Sequence, residues 1–260
     1  MKTVIVPVDF SATSLNAATY AVKMFTGIYG INMTLYHMYD KPENGAACEK
    51  DMAKLKEKLF EEGIVKMEIL CEQGNDLVGN MERLAKENPV DMIIIGITGK
   101  NKVAQTLVGS NTVKLAGKNI CPVLIVPPDA RFTQIKNIAL TSDFSHAPSP
   151  LAVTIMKDIT SAYFAKLHIV NVNPEHNVTI TEPYQQVKDK MDDSFKGVQH
   201  EFYFLSLYDF QDTMNMFVHD HHIDMLIILP KERNWLNHLT GDSNTKKMAY
   251  HSTVPVLTMH

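Results

Sequence analysis

The sequence predicts an α/β protein built from two tandem units, each a doubly wound, five-stranded parallel sheet. Three observations carry this. "KTVIVPVDFSATS" from Lys2 returns as "KNIALTSDFSHAPS" from Lys136, "VDMIIIG" at 90–96 as "IDMLIIL" at 223–229, and "CPVLIVP" at 121–127 as "VPVLTMH" at 254–260. Order and a spacing of 133 to 134 residues are kept throughout, so the chain is a tandem duplication. Within each copy, short apolar runs alternate with stretches of helical periodicity, the pattern of a parallel sheet with helical crossovers. Finally, 260 residues at 45% hydrophobic and 21% charged suffice for two cores.

The elements of the first copy follow in order. "TVIVPV" is a short β-branched run, read as a buried strand. Residues 13–29 carry Leu15, Ala18, Val22 and Phe25 on one helical face, with a Ser or Thr between 11 and 14 as cap. "NMTLYHMY" (32–39) is the second strand, 48–62 a charged amphipathic helix, and "KMEILCEQG" (66–74) the third strand. Residues 75–88 form a helix introduced by Asn75 or Asp76, and "VDMIIIG" is the fourth strand. A glycine loop, a helix over about 110–118 and a fifth strand, "CPVLIVP", complete the unit. "PPDARFTQIKN" (127–137) reads as a linker, giving domains over 1–128 and 136–260. The last strand of each copy is expected at a sheet edge, where unpaired backbone groups need cover. An intramolecular pseudo-dimer, "VLIV" against "VLTM", would supply it.

Composition narrows the function classes. A net charge of −4 and a pI near 6.2 argue against a nucleic-acid partner. The apolar runs fall far short of the roughly 20 residues of a membrane span, so no membrane insertion is expected. Cys48, Cys71 and Cys121 are odd in number, scattered, and without metal-ligand spacing, and they read as reduced thiols of a cytosolic protein.

The stretch "GITGKNKVAQTLVGSNTVKLAG" (96–117) raises the functional question. Glycines between a strand and a helix allow close approach of a ligand, and free amides at a helix start suit anions. Ser110 and Asn111 add donors there, and Lys100 and Lys102 add positive charge. Asp9, after the first strand, lies at the same end of the sheet and suits a ribose or base rather than a phosphate. Neither the Walker pattern nor the dinucleotide glycine fingerprint is present.

Gly96, Gly99, Gly109 and Ser110 fit the spacing G-x2-G-x9-G-[ST]. Together with Pro7, Val8, Asp9 and Ser11 of "PVDFS", and with "TLYHMYD" around Met38, they make the chain resemble the universal stress protein family in its tandem form, over essentially its whole length. The resemblance implies the adenine nucleotide alpha hydrolase-like fold, and ATP as ligand with magnesium as its companion ion. It implies that Val8, Asp9 and Met38 face adenosine and that Gly99, Gly109, Ser110 and Asn111 face phosphates. ATP and AMP are not distinguished.

The second copy departs from this pattern. It keeps Asp143, Phe144 and Ser145, and Ser243, Asn244 and Thr245, but "LPKER" replaces the first glycines and Asp242 follows Gly241. Proline removes a donor, Glu232 and Asp242 bring negative charge, and Trp235 and Leu236 bring bulk. One competent nucleotide site per chain is therefore expected.

"HDHHID" (219–224) offers His219 and His222 as a metal pair or as the solvated end of a helix. The many methionines, Met216 among them, read as core filler, and His37 as a satisfied core residue. Tyr203, Phe204, Tyr208 and Phe210 read as one aromatic cluster. Three functions remain: a nucleotide-binding regulator of a stress response, a slow ATPase, or a carrier whose second half holds a lipid, a small apolar ligand or zinc. The first is preferred, with no catalytic residue assigned. Cytoplasmic localisation is expected, and homodimerisation stays open.

Overall fold

Ten strands and seven helices are described, over residues 2–97, 110–118, 120–173, 182–206, 210–229 and 252–259 of a computed structural model. The chain divides into two units, Met1–Thr133 and Gln134–His260. The first runs β1 (Thr3–Pro7), α1 (Ala12–Phe25), β2 (Asn32–Tyr39), a 3-10 turn (Pro42–Asn44), α2 (Gly45–Glu62), β3 (Lys66–Gln73), α3 (Leu77–Glu87), β4 (Met92–Gly96), α4 (Ser110–Gly117) and β5 (Val123–Val126). Its strands lie in the order β3-β2-β1-β4-β5, all parallel.

The second unit contains β6 (Asn137–Thr141), α5 (Pro150–Tyr163), β7 (Lys166–Asn173), α6 (Glu182–Ser194), β8 (His200–Ser206), α7 (Phe210–Asp220), β9 (Met225–Ile228) and β10 (Val256–Thr258). Its order, β10-β9-β6-β7-β8, is the same arrangement. A shared clasp confirms the repeat. Asp91 accepts from the amides of Lys2 (2.6 Å) and Thr3 (2.8 Å), and Asp224 accepts from those of Lys136 (2.7 Å) and Asn137 (3.0 Å).

The central strands are apolar because helices cover both their faces; every residue of Met92–Ile95 is buried. Polar side chains set the helix starts. Ser11, Asp76 and Ser149 accept from the amides of Ser14, Gly79 and Ala152, the third with Pro150 in the first turn.

Several sequence expectations are corrected. The first helix ends at Phe25, not 29, because Gly27, just past the Thr26 cap, takes a left-handed angle (φ 83°) that stops it. The division between the units falls within the stretch read as the linker, whose first half is tied to α1: Asn16 donates to the carbonyls of Pro127 and Ala130 (both 3.1 Å), Arg131 donates to Asn16 (2.7 Å), and Phe132 meets Tyr20 edge-on. Met216 is exposed on α7, unlike the buried Met24, Met33, Met92 and Met225. The cysteines are not all free. Cys48 of α2 and Cys71 of β3 form a disulfide, because the α2–β3 crossover brings their Cα atoms to 6.3 Å. Cys121 stays a free thiol, its pKa pushed up to about 12 by burial.

The expected aromatic cluster is split, since neighbours along a strand face opposite sides. Phe204 joins Phe144, Tyr184 and Phe202 on one face. Tyr203 joins His168, Phe217 and His221 on the other. Phe210 begins α7, and Tyr208 lies outside the described residues. None of the described helices is long and apolar enough to cross a membrane.

Candidate functional site

In the first unit the chain leaves β1 toward β2 on one side and β4 on the other, so a crevice opens at the carboxyl ends of β1 and β4. A cleft of about 300 Å³ occupies it. Its apolar wall includes Pro7, Val8, Met38, Leu77 and Ile95; its polar arc includes Asp9, Ser11, Thr13, Ser14, Asn111 and Thr112.

The turn after β1 is built from its own side chains. Asp9 accepts from the amide of Ser11 (3.0 Å) and closes an Asx turn, which carries Phe10 through a left-handed conformation (φ 61°). Ser14 then ties the turn to α1: its hydroxyl accepts from the Asp9 amide (3.2 Å) and donates to the Ser11 carbonyl (3.1 Å). The setting has two effects on the Asp9 carboxyl. Burial raises its pKa, but hydrogen bonds from Ser11 and Ser14 outweigh this and hold it below the ordinary value. An ionised acceptor therefore faces the cleft.

Met38 lies half-buried on β2, and the Asn80 amide contacts its sulfur at 3.7 Å. Tyr36, on the same side, is fully buried. Its hydroxyl donates to Glu72 (3.1 Å) and accepts from Asn80 (2.8 Å), while Glu72 also pairs with Arg83. Burial, with Glu72 beside it, pushes the phenol up to about 12, so it remains a donor. His37 is half-buried and not a core residue: its Nδ1 donates to the Val8 carbonyl (2.6 Å), and Phe10 packs edge-on at 5.0 Å.

Gly96 has a packing reason. A Cβ there would meet the Thr13 carbonyl oxygen at 2.4 Å, so β4 approaches the start of α1 as only glycine permits. The Gly96 carbonyl accepts from Thr112 (2.9 Å), which docks the first turn of α4 on the end of β4.

Of the residues expected at the site, Pro7, Val8, Asp9, Ser11, Met38, Gly96 and Asn111 line one cleft, and Ser110 begins α4 beside it. Gly99 and Gly109 lie outside the described residues, as do Lys100, Lys102 and the second-copy stretch 230–245. Thr13, Ser14, Tyr36, Leu77, Ile95 and Thr112 were not foreseen as lining. In the run at the start of α1, Ser11 was expected at the cleft, whereas Thr13 and Ser14 were legible only as possible caps. His219 faces solvent beside Asp220 (3.0 Å) and His222 sits past the helix in a left-handed conformation. Among the described residues no group of three metal-ligating side chains converges.

Comparison with known proteins places this geometry. The Universal stress protein family model matches residues 1–127. Two universal stress proteins of Methanocaldococcus jannaschii are similar to this chain. One is 26% identical over 142 residues, covering 48% of this chain and 81% of the relative. The other is 29% identical over 153 residues, covering 48% and 94%. Among solved structures, a universal stress protein from Archaeoglobus fulgidus DSM 4304 superimposes with a TM-score of 0.77 at 15% identity, covering 99% of this chain and 97% of that one. The cytoplasmic domain of a prokaryotic cation chloride cotransporter does so with a TM-score of 0.57 at 15% identity, covering 99% and 94%. At these identities the two structures share the fold.

Proposed function

The chain belongs to the universal stress protein family, and from that premise we propose that its first unit is an adenine-nucleotide-binding regulatory module. The observation that carries the reading is the meeting of Asp9 and the start of α4 across one cleft at the switch point of the sheet.

The donor set suits the ligand. Pro7, Val8, Met38, Leu77 and Ile95 offer an apolar wall for a base. Asp9 offers an ionised acceptor for ribose hydroxyls, and the first amides of α4 suit phosphate. ATP, with magnesium on its phosphates, is the ligand the glycine spacing favours. Asp9 is a weak base because its pKa is depressed, which favours binding over water activation. Binding would then act as a signal through differential affinity for two conformations.

Calorimetric titration with magnesium ATP and with AMP tests the reading. We expect one site per chain, and about tenfold weaker binding in Asp9→Ala, the loss of ~1.4 kcal/mol typical of one charged hydrogen bond. No binding by the parent chain would remove the nucleotide. Two sites would mean that the second unit has kept a competence its sequence denies.

A further inference from the structure

The Cys48–Cys71 bond joins the first turn of α2 to β3, which is the edge strand of the first unit's sheet. The second unit shows that the fold does not need it. In register, Asn137 pairs with Lys166 as Thr3 pairs with Asn32, so Asn171 stands where His37 does. Phe204 pairs with Asn171 as Cys71 pairs with His37, so Phe204 takes the place of Cys71. The first turn of α6 supplies Tyr184, whose ring lies 6.3 Å from Phe204 and 5.1 Å from Phe144. Aromatic packing holds helix to strand in one copy, and a covalent bond holds it in the other.

Two features of the bond's surroundings favour its exchange. Cys71 is partly exposed, whereas Cys48 is only 4% exposed, so an incoming thiolate reaches the Cys71 sulfur first. Cys48, the leaving group, sits in the first turn of α2, where Asn44 makes no capping bond. The 3-10 turn Pro42–Asn44 runs straight into α2, so the amides of Asn44 and Gly45 are bonded to the carbonyls of Lys41 and Pro42, and it is the positive end of the helix dipole that favours a departing thiolate. A lower leaving-group pKa makes exchange faster.

We propose that Cys48–Cys71 is a thiol–disulfide exchange site for low-molecular-weight thiols, not a permanent crosslink. In the opening direction a thiolate RS⁻ attacks the Cys71 sulfur, the Cys48–Cys71 bond breaks, and Cys48 leaves as thiolate. A second RS⁻ attacks the R sulfur of the mixed disulfide, releasing RSSR and the Cys71 thiolate; two electrons pass from two thiols to the bond. Closure is the reverse, with RSSR as oxidant.

The test uses the full chain, first equilibrated with oxidised glutathione, then placed in millimolar reduced glutathione without denaturant. Samples are acid-quenched and alkylated in denaturant, and intact mass counts the thiols. We expect one alkylated thiol, Cys121, at the start. The count should rise to three under reduced glutathione and return to one on reoxidation, with an unchanged far-ultraviolet spectrum. Three thiols throughout, or one thiol until denaturant is present, would overturn the proposal. Two variants identify the attacked sulfur. With oxidised glutathione, folded Cys48→Ala should acquire one glutathione on Cys71 at least tenfold faster than Cys71→Ala acquires it on Cys48; the opposite ranking would overturn the assignment.

Discussion

At position 96 a single hydrogen in place of a methyl decides whether β4 can reach the start of α1, since a Cβ would lie 2.4 Å from a backbone oxygen of Thr13. Gly96→Ala should therefore cost the first unit about 2–4 kcal/mol, read from its denaturant midpoint. Leu229 follows β9 at the matching position of the second unit. His168 governs a different property. It is 4% exposed, bonded to Asn137 (3.1 Å) and Tyr203 (3.2 Å), and burial, with Lys166 and His221 nearby, lowers its pKa to about 4. The unfolded chain binds this proton more readily than the folded one. The contribution is thus complete above about pH 6.5 and lost as pH falls toward 4. Denaturation of the second unit across that window should lose on the order of 3 kcal/mol, and His168→Gln should flatten the dependence.

The paired turns show how one device serves two elements. Asp9 and Asp143 each accept from the amide two residues on, and Phe10 and Phe144 both take left-handed angles (φ 61° and 53°). Beyond them the copies part: α1 starts at Ala12 with Ser11 as cap, whereas α5 waits until Pro150, capped by Ser149. Ser149→Ala should lower the second unit's stability by about 1 kcal/mol in equilibrium unfolding. The strands, the caps and most cleft residues could be read from the chain because each is written locally, in apolar runs and in Ser, Asp and Gly at fixed offsets. The disulfide could not, since Cys48 and Cys71 are 23 residues apart and meet only through the α2–β3 crossover. Tyr36 and Ile95 were missed for a related reason: each belongs to an apolar run, and Tyr36 reaches the cleft because its partner strand β1 ends opposite it at Pro7, Ile95 because β4 ends one residue on. Tyr203 and Phe204 were misjoined although the two-residue period of a strand already separates them.

Across the whole molecule, the two copies hold similar skeletons by different chemistry. The first unit's crosslink closes a loop of 23 residues, worth about 3 kcal/mol by loop-entropy reasoning. Reduction should lower the first unit's unfolding midpoint accordingly and leave the second unit's in place. Hydrogen exchange, resolved by segment, would show the difference. The second unit answers to protons through His168 where the first answers to thiols. The aspartate clasps have their own consequence. Each carboxylate secures the opening amides of its own copy, Asp91 for Lys2 and Thr3, Asp224 for Lys136 and Asn137. Neither copy borrows that anchor from its twin, so loss of one clasp, as in Asp224→Ala, unfastens the opening strand of its own copy alone.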